Sequence, residues 1–573
     1  MNRIPFLALF SLLLWAISCS PKKADDSIRI RLAQDPESLH PLSYGNPYAL
    51  QVLNLMYQSL LSVDLKDRSI QPALAVSLPT VTIQGDSSYF TYTLRPEARW
   101  DDGQPVTAQD VSFSIKVMHS PMVENERWRV QYAFIEDIRF SKDNPREFTL
   151  ACAGYSPEMR HLTGDFFILP AHKLDPDNIL KGHSLRLLKA EQDSLSNTPA
   201  IKKLAGQINT QMLARDTAWV KGSGPYRLMA WNTGQQLRLE KKSNWWGDKA
   251  NNPSSALISK PQKLVYQIIT DNAAALLALK ANQIDVMDNI PLVPFLEMRK
   301  GTDYKENFAF FTTPTYDAVF MGVNGSKPIL QDKRTRQALG HLLPVAQIIN
   351  TLHGGYASPT AGFIPPQDSL FYNSNLKPLA YDIIAVKQLL QSAGWFKSPQ
   401  GWRKKINGQQ AFLQLELLHR AGNSDFENMA LMFQQNAKRV GIPIILKPME
   451  GSQISERLRT RDYDLYFRTL TGNPFSYNLL SLLHSQSAAN EGANVTHFGT
   501  SESDQLLEQI AREENLNTKA ILLKALQKIM REEANLMFLY FPKNKLAVSK
   551  RIDSVVVSSL EPGYDVTRLV LKK

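Results

Sequence analysis

Apolar and polar residues alternate where the folded part of the chain begins. Ile28, Ile30 and Leu32 in SIRIRL have the period of two that marks a strand with one buried face, and DPESLHPL, with its two prolines, then turns the chain. In YALQVLNLMYQSLL the apolar positions recur every three to four residues, the spacing of an amphipathic helix, whereas YFTYTLRPEARW alternates again. Farther on, KLVYQIITDNAAALLALKANQIDVM reads as strand, helix, strand, with Asp271 or Asn272 as the N-cap. NLMFLYFPKNKLAV, near the C-terminal end, is a strand apolar along most of its length. Strands and helices in alternation predict an α/β architecture.

The acid-rich stretch WDDGQPVTAQDVSFS raises the question of a reaction site, and its spacing answers for architecture. Asp102-Gly103 is a turn dipeptide, Thr107 to Asp110 has the form that caps a helix, and Val111, Ile115 and Met118 then fall on one helical face. An aspartate in the first turn of a helix is favoured by the dipole without any chemistry.

The N-terminus follows a different pattern. Arg3 precedes an apolar run from Ile4 to Ile17, shorter than the roughly 20 residues a membrane helix needs and laid out like a secretory signal. Small residues Ala16 and Ser18 lead into Cys19, whose setting resembles the bacterial lipobox, in which the cysteine is acylated. Ala16 stands where that pattern prefers leucine, and ordinary cleavage is the alternative. Residues 1–18 are thus expected to be a signal peptide and 19–27 a lipidated tether. The rest would lie on the periplasmic or cell-surface face of a bacterial membrane, held by the lipid anchor alone. The other cysteine, Cys152, sits in apolar EFTLACAG and reads as an inert buried thiol.

A chain of 573 residues is too long for one core and should divide into two or three domains. Its net charge of +11 is scattered, with no basic stripe for nucleic acid. There is no G-x-S-x-G elbow, no H-E-x-x-H, no C-x-x-C and no phosphate-binding G-x-x-x-x-G-K-[ST] loop. The ten histidines lack helical metal-site spacing. The sequence therefore offers no motif for an enzyme, a cofactor or a metal.

WDDGQPVTAQDVSFSIKV, together with GSGPYRLMAWNTGQQLRLEKKSNWWG (222–247), resembles the extracellular solute-binding proteins of family 5, the oligopeptide, dipeptide and nickel receptors of bacterial ABC importers. DPESLHPL, ALLALKANQIDV, VNGSKPILQDKRTRQAL and YDIIAVKQLLQSAGW follow in the family's order, and the resemblance runs from about 28 to 545. It implies a two-lobed periplasmic-binding-protein-like fold with an extra subdomain in the first lobe and a hinge of two crossovers, near 300 and 537. The first lobe would comprise 28–65, 201–304 and 536–573, its subdomain 66–200, and the second lobe 305–535. Two departures stand out: Pro344 and Val345 follow the RQAL helix, which should therefore end early, and 176–221 is a long segment that suggests a helical insertion.

The resemblance implies a monomer that captures a small peptide or peptide-like solute and delivers it to an ABC transporter permease. A non-peptide solute such as a metal chelate, or a sensor without a transporter, is the alternative. Candidate ligand contacts are Tyr44, Gly45, Asn46 and Pro47, and Tyr466, Phe467, Arg468, Thr469, Leu470, Thr471 and Asn473. The well-known oligopeptide receptors hold the ligand's α-ammonium with an aspartate in a segment resembling W-x-[AG]-D; here counting forward from Tyr463-Asp464 puts Asn473 there, and counting back from Pro474 puts Leu470. Neither is a carboxylate, so a free N-terminus is not expected to be gripped in that way; the ligand would be a blocked or cyclic peptide, a metal chelate or a peptide held through other groups, with Asp462 or Asp464 compensating if the loop is rearranged.

Overall fold

The computed structural model describes residues 26–489 and 492–572, so Cys19 and the signal segment lie outside the described residues. A twelve-stranded sheet forms the backbone of the molecule. Its path runs Ile444–Met449, Leu415–Arg420, Leu465–Thr471, Asp317–Val323, Leu536–Ser549, Val286–Met287, Ser27–Leu32, Lys263–Ile268, Gln236–Lys241, Tyr226–Asn232. The fourteen-residue strand Leu536–Ser549 belongs to both halves. Its residues 536–540 pair with Asp317–Val323, whereas 543–549 pair with Phe308–Pro314.

Local signals act as their chemistry requires. Asp271 caps the helix Asn272–Lys280 by accepting from the Ala274 N–H at 2.7 Å, so the aspartate and not Asn272 is the cap. At the acid-rich stretch, Asp110 accepts from the Thr107 N–H at 2.8 Å and hydroxyl at 2.9 Å and from the Ala171 N–H at 2.9 Å, joining two segments of the subdomain. Asp102 meets His172 and Asp101 meets Lys242, so all three aspartates have architectural partners. The helix Lys333–Gly340 stops before Pro344, and a new one, Val345–His353, follows. Gly224 fits because a Cβ there would sit 2.7–2.8 Å from backbone atoms of Leu55 and Met56; the turn lets the next strand lie directly on the helix Pro47–Met56.

The subdomain is a four-stranded antiparallel sheet in the order Thr80–Gln84, Ser87–Thr93, Glu147–Ala153, Ile135–Phe140. Residues 176–221 form short helices whose Leu185, Leu188, Ile201, Leu204 and Leu213 enter the same core as Phe90 and Val111. Cys152 is buried there with its thiol pushed up to about 12 by desolvation, an inert state.

Several expected boundaries need correction. A cut at 200/201 would break the helix Pro199–Ile208, one at 304/305 would break Thr302–Asn307, and one at 65/66 would split the hairpin of Leu61–Val63 with Ile70–Pro72. Pairing of Phe308–Pro314 with the far part of the long strand keeps 308–314 in the first half of the sheet, and pairing of 536–540 with Asp317–Val323 keeps those residues in the second. Ala357–Pro359 pairs with 540–542, so the crossings lie at 315–316 and between 542 and 543, and not near 300 and 537. The Thr315 hydroxyl donates to the Pro542 carbonyl at 2.8 Å and ties one crossing to the other.

Beside the strand Val286–Met287, in the interior of the sheet, Asp285 is almost wholly buried between two arginines. It accepts from the Arg29 backbone N–H at 2.9 Å, from Arg29 Nε at 3.0 Å and Nη2 at 2.9 Å, and from Arg551 Nη1 at 2.9 Å. One side chain thereby joins the N-terminal strand, the middle segment and the C-terminal segment.

Candidate ligand cleft

Three adjoining cavities form a crevice; two of them are lined from both halves, and the one between them by the first lobe alone. The largest, about 370 Å³, lies between Tyr44, Trp128, His161 and Asp165 on one side and Asn473 on the other. The second, about 250 Å³, shares Asn54, Ser59 and Asp165 with it and continues past Gln58 and Tyr266 to Glu561. The third, about 80 Å³, takes over at Glu561 and ends among Thr313, Tyr316, Asp317 and Thr471 at the crossings. These sizes are in the range of small-ligand sites.

The two lobes touch on both flanks of this space. Arg68 Nη1 meets Asp368 Oδ1 at 2.7 Å, and the Tyr316 hydroxyl donates to the same oxygen at 2.8 Å while Tyr477 donates to Asp368 Oδ2. Lys519 Nζ meets Glu158 Oε1 at 3.3 Å with both side chains only 8% exposed, and the rings of His161 and Phe475 lie 4.9 Å apart. The structure is thus a closed arrangement.

The electrostatics of the walls favour positive charge. The Asp165 carboxyl is about half exposed and lies 3.7 Å from the ring of His161. Glu561, exposed on the crevice wall, is pushed up to about 7 by desolvation and then by the charges of Asp288 and Asp317. Asp288 itself is raised to about 6, chiefly by burial.

The residues singled out from sequence fall into different places. Tyr44 lines the 370 Å³ cavity, its ring 5.8 Å from that of Trp128. Gly45 and Pro47 are exposed, and Asn46 caps the helix, accepting from Ala49 and donating to the carbonyls of Asp35 and Pro36, so its polar groups hold the turn. Tyr466 packs edge-on to Phe320 and Phe467 stacks on Phe426, which places both in the second-lobe core. Arg468 and Thr469 are exposed and Leu470 is half-buried; none of these lines the three cavities. Thr471 and Asn473 do line them. The Thr471 hydroxyl donates to Asp317 at 2.7 Å, and the Asn473 Oδ1 accepts from the Phe475 N–H at 2.8 Å.

Asp462 and Asp464 sit at the other end of the strand from the crevice. Asp464 accepts from the Glu416 N–H at 2.9 Å and Asp462 meets Arg457 at 3.1 Å. Thr471, paired with Asp317 at the crossing, is about 20 Å farther along at the rise of an extended strand, so neither acid reaches a ligand in the crevice. The carboxylates that do face it, Asp165 and Glu561, escape a local reading because they come from segments distant in sequence. The only hints are Asp165 in the turn TGDFF and Glu561 in the Pro-Gly turn LEPGYD. Among the described residues no three His, Cys, Asp or Glu side chains converge to hold a metal ion.

Comparison with known proteins gives this architecture a family. The model of bacterial extracellular solute-binding proteins, family 5 middle, matches residues 69–491, and the chain belongs to that family. It is 24% identical over 501 residues to the oligopeptide-binding protein OppA of Lactococcus lactis subsp. lactis, covering 82% of this chain and 78% of that one. In fold it is similar to the oligopeptide-binding protein AppA of Bacillus subtilis in complex with a nonapeptide, with TM-score 0.68 and 20% identity over 96% of this chain and 99% of that one. NikZ of Campylobacter jejuni in complex with Ni(L-His) is equally close, with TM-score 0.68 and 20% identity over 94% and 97% of the chains. The fold is therefore the two-lobed one of extracytoplasmic solute-binding proteins, whose members work with ABC importers. Among the described residues no helix is long and apolar enough to cross a membrane.

Proposed function

We propose that the protein captures a short peptide outside the cytoplasm by closing its lobes on the crevice, and passes it unchanged to the permease of an ABC importer. The observation that carries this reading is the strand Leu465–Thr471. It pairs along its whole length with Asp317–Val323, but with the strand on its other side only at Leu465 and Tyr466. Beyond Tyr466 that edge has no strand beside it among the described residues, and its last residue reaches the crevice. An extended ligand can add there through main-chain hydrogen bonds, which give affinity with little dependence on side chains. Relatives that bind oligopeptides support the same reading, whereas the likeness to NikZ with Ni(L-His) favours a chelate of similar size as the second candidate.

Native mass spectrometry of protein purified without refolding tests the ligand, with a peptide mass released on denaturation as the expected result. Small-angle scattering tests closure: ligand-free protein should open and its radius of gyration should fall on saturation. An unchanged radius would overturn the closing motion.

Cys19 completes the proposal as a lipid anchor on the outer face of a bacterial membrane, with a single copy of the chain as the working unit. One acyl chain holds a protein weakly, so such anchors carry more than one. Cells fed an alkyne fatty acid should label the parent protein and not a Cys19→Ser variant; equal labelling of the two would remove the anchor from the scheme.

A further inference from the structure

Glu561 lines both the 250 Å³ and the 80 Å³ cavities, at the point where they join. Its neighbours along the crevice already have partners. Asp64 accepts from Arg568 Nη2 at 2.7 Å, Asp565 accepts from the Thr567 hydroxyl at 2.6 Å, and Asp317 accepts from Thr471. Glu561 has no hydrogen bond or ion pair with any described residue, and the charges that act on it, Asp288 and Asp317, are both repulsive. The only cation among the described residues lining these two cavities is Arg568, which Asp64 holds.

Two buried oxygens without partners belong to residues lining the cavities that Glu561 joins, one in each. Gln58 is 7% exposed and its Oε1 lacks a donor, and it lines the larger of the two cavities. Thr313 is 2% exposed, its Oγ1 is likewise without a partner, and it lines the smaller. A buried acceptor left without a donor costs about 1–3 kcal/mol, so a native site that keeps two of them beside an unpaired carboxylate is built for a group rich in N–H. An ammonium or guanidinium supplies both the charge and the donors.

We propose that Glu561 takes a positively charged side chain of the ligand, a lysine ammonium or an arginine guanidinium, and so makes the crevice selective for basic peptides. This rests on reading the crevice as a peptide site, and the experiment separates the two claims. Tripeptides Ala-Lys-Ala, Ala-Met-Ala and Ala-Glu-Ala differ in one side chain and share both termini. A second probe pair, 1,5-diaminopentane and 1,5-pentanediol, carries the charge without a peptide. Each is titrated calorimetrically into ligand-free parent protein and into Glu561→Gln, which keeps the shape of the side chain and removes its charge, after circular dichroism has shown the same fold.

Ala-Lys-Ala should bind the parent roughly ten- to a hundredfold more tightly than Ala-Met-Ala, the usual effect of one charged hydrogen bond, and Glu561→Gln should bring the two within about threefold. If no tripeptide binds but diaminopentane does, and Glu561→Gln weakens it, the peptide reading falls and the role of Glu561 stands. A lysine preference that survives in Glu561→Gln, an equal affinity for the three peptides, or no binding by any probe overturns the assignment.

Discussion

An Asp285→Ala variant is expected to unfold at a clearly lower urea concentration than the parent, with a loss of about 3 kcal/mol and an unchanged slope. The carboxylate is 1% exposed and binds two guanidiniums, so its removal takes a shared buried partner from both. Breaking a buried ion pair by deleting one partner costs about 3–5 kcal/mol, and the lower end applies because Arg29 and Arg551 are 20% and 36% exposed and can rehydrate in part. The loss should extend to the whole first lobe, since Asp285 joins three segments that are far apart in the chain. Asp102→Ala provides the contrast. Its pair with His172 is at the surface, and its removal should cost under about 1 kcal/mol. Equal midpoints for Asp285→Ala and the parent would show that the arginines do not depend on it.

Replacing Lys519 by methionine should speed release of the co-purified ligand by roughly thirtyfold or more in a stopped-flow chase. Lys519 and Glu158 come from different lobes and are both 8% exposed, so their pairing exists only when the lobes meet. Without the ammonium, closure buries the Glu158 carboxylate, whose Oε2 already lacks a hydrogen-bond partner. Removal of one partner from such an interfacial pair costs about 2–5 kcal/mol, which falls on the closed state alone. A second change, Glu158→Leu, added to Lys519→Met should restore most of the parental rate because it removes the stranded charge. Arg160→Ala breaks a half-exposed pair with Glu514 at 3.7 Å and should alter release less than about threefold. Parental release from Lys519→Met would mean that this pair does not hold the lobes together.

The reach of the sequence differs between kinds of feature. Caps, turns and single elements depend on residues a few positions apart, and the roles of Thr107 with Asp110, Asp271 and Pro344 follow from such spacing. Lobe boundaries depend on which strand a segment pairs with. Nothing in FAFFTTP tells it to join residues 543–549, more than two hundred positions later, and so the crossing was expected too early.

The binding surface was legible to a still smaller degree. Tyr466 and Phe467 are adjacent in a strand covered on both faces, where alternation no longer separates core from surface, and both enter the core. Asn46 carries the polarity of a contact residue but uses it within its own turn. Asp165, Gln58 and Glu561 meet only because helix, subdomain and C-terminal loop fold against one another, a proximity with no trace in local spacing.

The shared strand Leu536–Ser549 has a consequence for how the protein is made. It supplies the centre of the sheet and leaves the ribosome on the order of tens of seconds after Ser27–Leu32 at usual synthesis rates. For the later part of that interval Phe308–Pro314 and Asp317–Val323 stand without the neighbour that both require. Such open, apolar strand edges invite pairing with other chains. Neither lobe can be completed in order of synthesis, so biogenesis depends on keeping more than five hundred residues from premature association until one late ribbon closes both halves together.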